Sequence, residues 1–130
     1  MFVLLGATIL EGCTCIAPTV RNARKRADIV FRGRIIGLRD TDQGQRVIFA
    51  VDRVWKGKVP RTFEMAAIRE AAACIGFWPS FLETGNYLLV YAYEFGDPPE
   101  YMTDICSRTN LVDHSEDFAR LGKGYQPISK

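Results

Sequence analysis

Apolar and charged residues alternate along two stretches in the first half of the chain, at positions 29–38 and 47–54. A period of two places successive side chains on opposite faces of a strand, so each stretch predicts a half-buried β-strand. The polar segment 40–45 between them predicts a hairpin turn. Gly33 and Gly37 lie in the first stretch, where a small closed barrel needs its strands to bend.

Three further strands are predicted along the rest of the chain, at positions 61–68, 87–93 and 101–106. The second of them, 87–93, is apolar almost throughout, so it should be buried on both faces and run through the centre of the sheet. The succession of strands and turns predicts a mainly β protein. We expect a five-stranded Greek-key barrel of the OB-fold type with one or two flanking helices.

Helical spacing appears on either side of the strand series, at positions 19–27 and 112–121. Thr19 is the predicted N-cap of the first helix, and Gly122 should end the second. The inward-facing positions are Val20, Ala23 and Ala27 in the first helix, and Val112, Phe118 and Leu121 in the second. We expect residues 123–130 to form a flexible tail, which leaves 13–122 as the folded domain.

Residues 1–12 are largely apolar but far too few to span a bilayer as a helix. They resemble the remnant of a signal peptide, with the small Gly12 just before Cys13, although a positively charged front is missing. An extra N-terminal strand is the structural alternative. The same residues partly match a lipoprotein cleavage motif, but Glu11 is unusual at its position in such a motif. In addition, a lipidated Cys13 could form no disulfide. We therefore disfavour a lipid anchor.

The composition points to one soluble globular domain. A chain of 130 residues with 48% hydrophobic content can bury one core but hardly two. Charged residues make up 25% and the net charge is +2, which indicates neither disorder nor a strong preference for polyanions. The predicted helix 19–27 has a basic outer face that suggests nucleic-acid binding. Cations are also favoured near a helix C-terminus, so we expect a solvated face, no nucleic-acid partner and a monomer.

The sequence contains no recognisable catalytic constellation. His114 is the only histidine, and a surface or capping role is expected for it. Nucleophile elbows, zinc-protease motifs and phosphate-binding loops are absent from the sequence, and the carboxylates are scattered over turns and helix ends. Trp55 and Trp78 are expected to be core residues. We therefore predict a protein that is not an enzyme and needs no cofactor.

The four cysteines carry the most specific information. Cys13 and Cys15 are too close to bridge each other easily, so each should pair with Cys74 or Cys106. An even cysteine count in a small chain indicates an oxidising compartment, so we expect a secreted, extracellular or periplasmic protein. Zinc ligation by all four is the competing interpretation. We disfavour it because Cys74 and Cys106 lack nearby cysteines, whereas such zinc sites usually use two compact pairs.

In their order and context, these cysteines resemble those of the tissue inhibitors of metalloproteinases and the wider netrin-like (NTR) domain family. The matching segments are Cys13-Thr14-Cys15-Ile16-Ala17-Pro18, Ala27-Asp28-Ile29-Val30-Phe31-Arg32-Gly33, Val54-Trp55-Lys56-Gly57, Cys74-Ile75-Gly76-Phe77, Tyr87-Leu88-Leu89-Val90-Tyr91-Ala92 and Asp104-Ile105-Cys106-Ser107. The resemblance covers nearly the whole chain from Cys13 onward. The cysteines of the family's third bridge and second domain are missing, so the chain resembles a minimal, bacterial-type version.

The resemblance implies two disulfides, Cys13–Cys74 and Cys15–Cys106, and an inhibitory ridge. Bridges that close such long loops contribute at most about 4 kcal/mol each. The ridge consists of Cys13, Thr14, Cys15, Ala72 and Ala73. In the family, the residue matching Thr14 enters the protease's specificity pocket, and the Ala72–Ala73 pair matches a neighbouring contact loop.

The inhibitory mechanism implied by the resemblance requires Cys13 to be the first residue of the mature chain. Its free α-amino group and its carbonyl oxygen would then chelate the catalytic zinc of a target metalloprotease. Displacement of the zinc-bound water would remove the protease's nucleophile. The alternative function is a netrin-like binding module, extracellular or attached to the envelope, that shares the fold but has no protease target.

Overall fold

A computed structural model describes residues 15–67 and 74–129. Within them the protein is mainly β. The strands are β1 Ile29–Thr41, β2 Gly44–Lys56, β3 Thr62–Ala66, β4 Tyr87–Phe95, β5 Glu100–Met102 and β6 Asn110–Leu111. The helices are α1 Val20–Arg26 and α2 Phe118–Leu121, with short 3-10 helices at Pro79–Phe81 and Val112–His114.

The strands form one curled antiparallel sheet in the order β3-β2-β1-β4-β5, with β6 also paired to β4. Side chains join its two edge strands. The rings of Phe63 on β3 and Tyr101 on β5 lie edge to face, with centroids 5.6 Å apart. Arg46 on β2 makes an ion pair with Glu100 on β5. These contacts bring β3 and β5 together, so the sheet is barrel-like.

The long hairpin of β1 and β2 confirms the turn predicted at 40–45, with Thr41 paired to Gly44. Irregularities in its register occur between Arg32 and Gly33 and between Ile35 and Gly37. A Cβ on Gly33 would lie only 3.1 Å from the carbonyl oxygen of Ala50 and 3.2 Å from Phe49 Cβ. The predicted bends at the two glycines are therefore confirmed, and close strand packing explains the need for glycine at position 33.

The core has two parts, on the two faces of the sheet. The barrel interior is filled by apolar side chains that include Phe31, Phe49 and Val90, each fully buried. On the outer face, α1 and α2 cover a second cluster that includes Trp55 and Leu89. Because β4 contributes to both clusters, its residues Leu88–Ala92 are buried on both faces, as the continuous apolar run predicted.

The prediction for α1 is confirmed in detail. Thr19 caps the helix, with its Oγ1 accepting a hydrogen bond of 3.1 Å from the backbone N–H of Asn22. Val20, Ala23 and Ala27 are buried, as helical spacing predicted. Lys56 Nζ donates to the carbonyl oxygens of Arg24, Lys25 and Ala27, so one ammonium group satisfies the otherwise unpaired C-terminal carbonyls.

The single helix predicted at 112–121 is wrong, because the segment folds as two short helices separated by extended backbone at Ser115. The Ser115 hydroxyl accepts a hydrogen bond of 3.2 Å from the backbone N–H of Asp117. Serine can satisfy nearby backbone groups in this way and thus competes with helix formation. Leu121 is buried and Phe118 packs against the outer cluster, so the predicted inward face of the second half is retained.

Residues 123–129 do not extend away from the domain as the predicted tail would, because Tyr125 pairs with Val54 on β2 and Ile128 pairs with Pro60 in the segment after β2. Tyr125 and Val54 exchange two backbone hydrogen bonds of 2.8 Å. The partner strand β3 covers β2 only as far as Ala50, so Tyr125 satisfies backbone groups that would otherwise be unpaired. Gly124 approaches so closely that a Cβ would lie 2.7 Å from the carbonyl oxygen of Val54.

Within the described ranges, no helix is long and apolar enough to cross a membrane.

Candidate functional site: the surface around the Cys15–Cys106 disulfide

The predicted bridge between Cys15 and Cys106 is confirmed, with their Cα atoms 5.2 Å apart. It fastens the start of the described chain to the segment that follows β5. Since both sulfurs are used in the disulfide, neither is a thiolate, and the four-cysteine zinc site considered from the sequence is ruled out. Among the residues described, no group of three or more His, Cys, Asp and Glu could hold a metal ion.

The segment beginning at Cys74 packs beside the same part of the chain. Ile75 pairs with Asp104 in an antiparallel bridge. Gly76 donates a backbone hydrogen bond of 2.8 Å to Thr103, and Ile105 donates one of 3.2 Å to Cys74. Cys74 itself is disulfide-bonded. The segment 103–106 therefore holds both Cys15 and Cys74.

Four of the five predicted ridge residues lie outside the described residues: Cys13, Thr14, Ala72 and Ala73. The Cys13–Cys74 bridge, the zinc-chelating role of Cys13 and the contact role of the two alanines stay predictions. Residues 1–12, for which a signal-peptide remnant was predicted, are also outside the described ranges. Cys15 is exposed next to the ridge positions that precede it.

A cleft of about 320 Å³ opens beside the Cys15–Cys106 disulfide, and its lining includes Trp78, Phe81 and His114. Trp78 is 45% exposed, so the prediction that it belongs to the core is wrong; Trp55, at 4%, does belong to the core. Ile16, next to Cys15, is 93% exposed. Aromatic and apolar side chains thus lie on the surface around the disulfide, where a protein partner could cover them.

An ion pair between the partly exposed Arg108 and the buried Asp117 lies in the wall of this cleft. Asp117 is 2% exposed and accepts hydrogen bonds from Arg108 at 2.8 Å to Nε and 2.6 Å to Nη2. The Tyr91 hydroxyl donates to the same carboxylate at 2.7 Å. Burial, followed by this contact with Asp117, raises the pKa of the Tyr91 phenol. Arg108 also donates to the carbonyl oxygen of Pro18 at 3.0 Å, so the network holds the segment that leads to Cys15.

Buried hydroxyl groups fix the other side of the segment 103–109. Thr103 Oγ1 donates a hydrogen bond of 2.8 Å to the carbonyl oxygen of Tyr91, and Thr109 Oγ1 accepts one of 2.9 Å from the Tyr91 backbone N–H. The two threonine oxygens are 2.8 Å apart. Because Thr103 is fully buried, these bonds tie the disulfide-bearing segment to the central strand β4.

His114 is exposed at the end of the second 3-10 helix, in keeping with the surface role expected for it. Its carbonyl oxygen accepts a hydrogen bond from the Asn110 side chain at 3.2 Å.

Sequence reasoning missed the polar residues that support the site: Tyr91, Thr103, Arg108, Thr109 and Asp117. When the hydrogen-bonding partners of a buried carboxylate come from other elements, the residues next to it in the sequence do not indicate that it is buried. Arg108, two residues after Cys106, was the nearest available signal, because a guanidinium that a disulfide holds against the domain needs a charged or carbonyl partner.

Neither a protein-family model nor a curated protein matches this chain.

Proposed function

We propose that this protein is a secreted inhibitor of zinc metalloproteases that acts through an inhibitory ridge at Cys13, Thr14, Cys15, Ala72 and Ala73. The observation that carries the proposal is the convergence of two chain segments on residues 103–106. Cys15 is bonded to Cys106 by the disulfide, and Cys74 is held by the backbone of Ile105. Each of the two lies next to proposed ridge residues in the sequence, which favours the proposal that two separate parts of the chain contribute to one ridge.

Rigid anchoring matters for this function because a binding segment that is already ordered loses less conformational entropy when it docks. The Cys15–Cys106 disulfide, the Arg108–Pro18 hydrogen bond and the pairing of Ile75 with Asp104 all restrict the segments next to the ridge. The exposed Ile16 and Trp78 add apolar area that a protease could cover.

The proposed chelation of zinc by Cys13 requires that the chain is cleaved immediately before this residue. The α-amino group of a chain beginning there titrates near pH 8, so its neutral ligating form is accessible at modest cost. Together with the Cys13 carbonyl oxygen, it would form a five-membered chelate ring on a zinc ion with an open position. The water that occupies that position in the free protease is its nucleophile, so chelation would stop hydrolysis.

We also propose that the curled sheet is an OB-fold barrel. The observed pairing of β1 with both β2 and β4, of β2 with β3 and of β4 with β5 supports that topology. The Phe63–Tyr101 and Arg46–Glu100 contacts lie where β3 and β5 would close the barrel.

The proposed function is tested by comparing two chains that differ by one residue. A chain that begins at Cys13 should inhibit at least one member of a panel of zinc proteases, measured as residual peptidase activity. A chain with one alanine ahead of Cys13 should not, because the added residue converts the ligating amine into an amide and fills the space of the metal.

Equal inhibition by the two chains would refute chelation. If neither inhibits any protease while both retain the Cys15–Cys106 disulfide, the netrin-like binding module becomes the better assignment.

A further inference from the structure

A pocket of about 500 Å³ lies between α1, the end of β4 and the segment that follows β5. Its apolar lining comprises Pro18, Ala23 and Ala27, together with Tyr91 and Tyr93 from β4. We call it the β4 pocket. A volume of this size, with apolar and aromatic walls and a few polar groups, is typical of a small-molecule site.

Charged side chains of both signs also line the β4 pocket: Arg26, Asp28, Glu94 and Asp104. Asp28 accepts a hydrogen bond of 2.7 Å from the backbone N–H of Glu94, and Asp104 accepts one of 2.9 Å from that of Cys106. The side chains of Arg26 and Glu94 are exposed and make no hydrogen bond or ion pair with any other described residue. One cation and one anion are therefore available to a ligand.

The position of Arg26 is not explained by the stability of α1. Lys56 Nζ donates to the carbonyl oxygen of Ala27 at 2.6 Å and to two other carbonyl oxygens at the end of this helix. The helix dipole favours a cation in the last turn, but Arg24 and Lys25 already supply that charge. Arg24 also donates a hydrogen bond of 2.9 Å to a backbone carbonyl oxygen of β2, whereas the Arg26 guanidinium has no such use within the described chain.

The Tyr93 phenol experiences both kinds of charge. Burial, followed by the nearby Asp104 carboxylate, raises the pKa of this phenol, and the Arg26 guanidinium opposes the shift. Because the pKa lies above its ordinary value of 10.0, the phenol is neutral at neutral pH. The negative charge of the described lining therefore comes from its three carboxylates, which exceed the single guanidinium.

We propose that the β4 pocket binds a small zwitterion, an amino acid with an aromatic side chain. Arg26 donates two parallel hydrogen bonds to the ligand's carboxylate, and Glu94 accepts hydrogen bonds from its ammonium group. The excess of carboxylates favours the ammonium end and disfavours a simple anion. A simple cation would leave Arg26 without a partner, so a ligand that carries both charges fits the lining better.

The apolar lining accounts for the side chain of the ligand. Tyr91 and Tyr93 provide aromatic surface against which a second ring can stack or lie edge to face. Tyrosine faces also attract an ammonium group. The proposal goes beyond protease inhibition and does not depend on it, because Arg26 and Glu94 are not residues of the proposed ridge.

The test uses the full chain and L-phenylalanine as the probe, with affinity measured by NMR chemical-shift titration of the isotope-labelled protein. Two analogues each lack one charge of the probe: phenethylamine has no carboxylate, and 3-phenylpropionate has no ammonium group. The pocket variants are Arg26→Gln and Glu94→Gln. The matched controls are Arg61→Gln and Glu83→Gln, at exposed residues outside the pocket whose side chains have no partner in the described parts of the chain.

Each pocket variant should bind L-phenylalanine about tenfold more weakly, since one charge-assisted contact is lost. Each control should change the affinity less than about twofold, because it alters the net charge equally but makes no contact with the ligand. Arg26→Gln should leave the affinity for phenethylamine unchanged, and Glu94→Gln should leave that for 3-phenylpropionate unchanged. The amide spectrum of each variant confirms that it is folded.

Failure of the unchanged protein to bind L-phenylalanine would overturn the proposal. Equal losses in the pocket and control variants would overturn it too, because binding would then follow net charge alone. If phenethylamine binds as tightly as L-phenylalanine and Arg26→Gln weakens neither, the pocket accepts an organic cation and the zwitterion assignment is wrong.

Discussion

At the scale of single residues, Asp117 connects parts of the molecule that lie far apart in the sequence. Its carboxylate receives hydrogen bonds from Arg108 and from Tyr91 on β4. Arg108 in turn holds Pro18. One buried carboxylate thus connects the central strand to the N-terminal segment and to the disulfide-bearing segment after β5.

We predict that Asp117→Asn destabilises the folded protein by about 3 kcal/mol. The substitution leaves Arg108 with a neutral partner, and breaking one side of a buried ion pair costs more than the pair itself contributes. Partial exposure of the Arg108 side chain, 30%, places the effect at the lower end of the usual range. Urea unfolding measures it through a shifted midpoint at constant slope.

Asp52→Asn is the matched control, because Asp52 pairs with Arg32 at 2.9 Å but its side chain is 50% exposed. An exposed pair contributes about 1 kcal/mol or less. If the two variants lose the same stability, Asp117 does not anchor the site as described.

The sequence predicted some residues of the candidate site and missed others. The Cys15–Cys106 bridge followed from the order of the cysteines and the family resemblance. The Arg108–Asp117 pair did not, because it depends on a turn at Ser115 that breaks an apparently regular helical pattern. The exposure of Trp78 was equally hidden, since neither the spacing nor the identity of an aromatic residue indicates which face of a loop it occupies.

At the scale of elements, the contact between β3 and β5 decides whether the curled sheet behaves as a barrel. Glu64 on β3 accepts hydrogen bonds of 2.7 Å from Arg39 and from Arg46. Arg46 also reaches Glu100 on β5. The hydrogen bonds from Arg39 and then Arg46 lower the pKa of Glu64, so the ionised carboxylate is favoured in the folded state.

This lowered pKa predicts the sign of a pH effect. A carboxyl group with a depressed folded-state pKa stabilises the protein above its unfolded pKa, and that stabilisation is lost as the pH falls through the folded value. Glu64→Gln should therefore lower the free energy of unfolding at pH 7, and the difference from the unchanged protein should shrink as the pH falls below about 4.5, the ordinary value for a glutamate.

The measurement is a set of urea unfolding curves between neutral and acidic pH. Glu83→Gln is the control, because Glu83 is exposed and its side chain has no partner in the described structure. A difference between Glu64→Gln and the unchanged protein that stays constant with pH would contradict the account of this contact.

Strands and helices were predicted with unequal success for a physical reason. Alternation over β1 and β2 and the apolar run of β4 reflect burial directly, so those strands and the hairpin were predicted. The pairing of Tyr125 with Val54 on β2 depends on backbone groups left open beyond the end of β3, which no side-chain pattern records. Residues 101–106 form a strand only up to Met102, because Thr103 turns inward to bond Tyr91.

At the scale of the whole molecule, two surfaces meet at Arg108. One lies around the Cys15–Cys106 disulfide, and the other is the concave surface lined by α1, Lys56 and Arg120. Arg108 contributes to the lining of both while its guanidinium stays paired with Asp117.

The central claim is that the α-amino group of Cys13 is a zinc ligand, and N-terminal acetylation tests it most directly. Two chains beginning at Cys13 are compared, identical except that one carries an acetyl group on this amine. We predict that the free amine inhibits a responsive zinc protease and that the acetylated chain loses at least 100-fold in affinity, since an amide nitrogen is a poor metal ligand. Equal inhibition by the two chains, with the Cys15–Cys106 disulfide intact in both, would contradict the account.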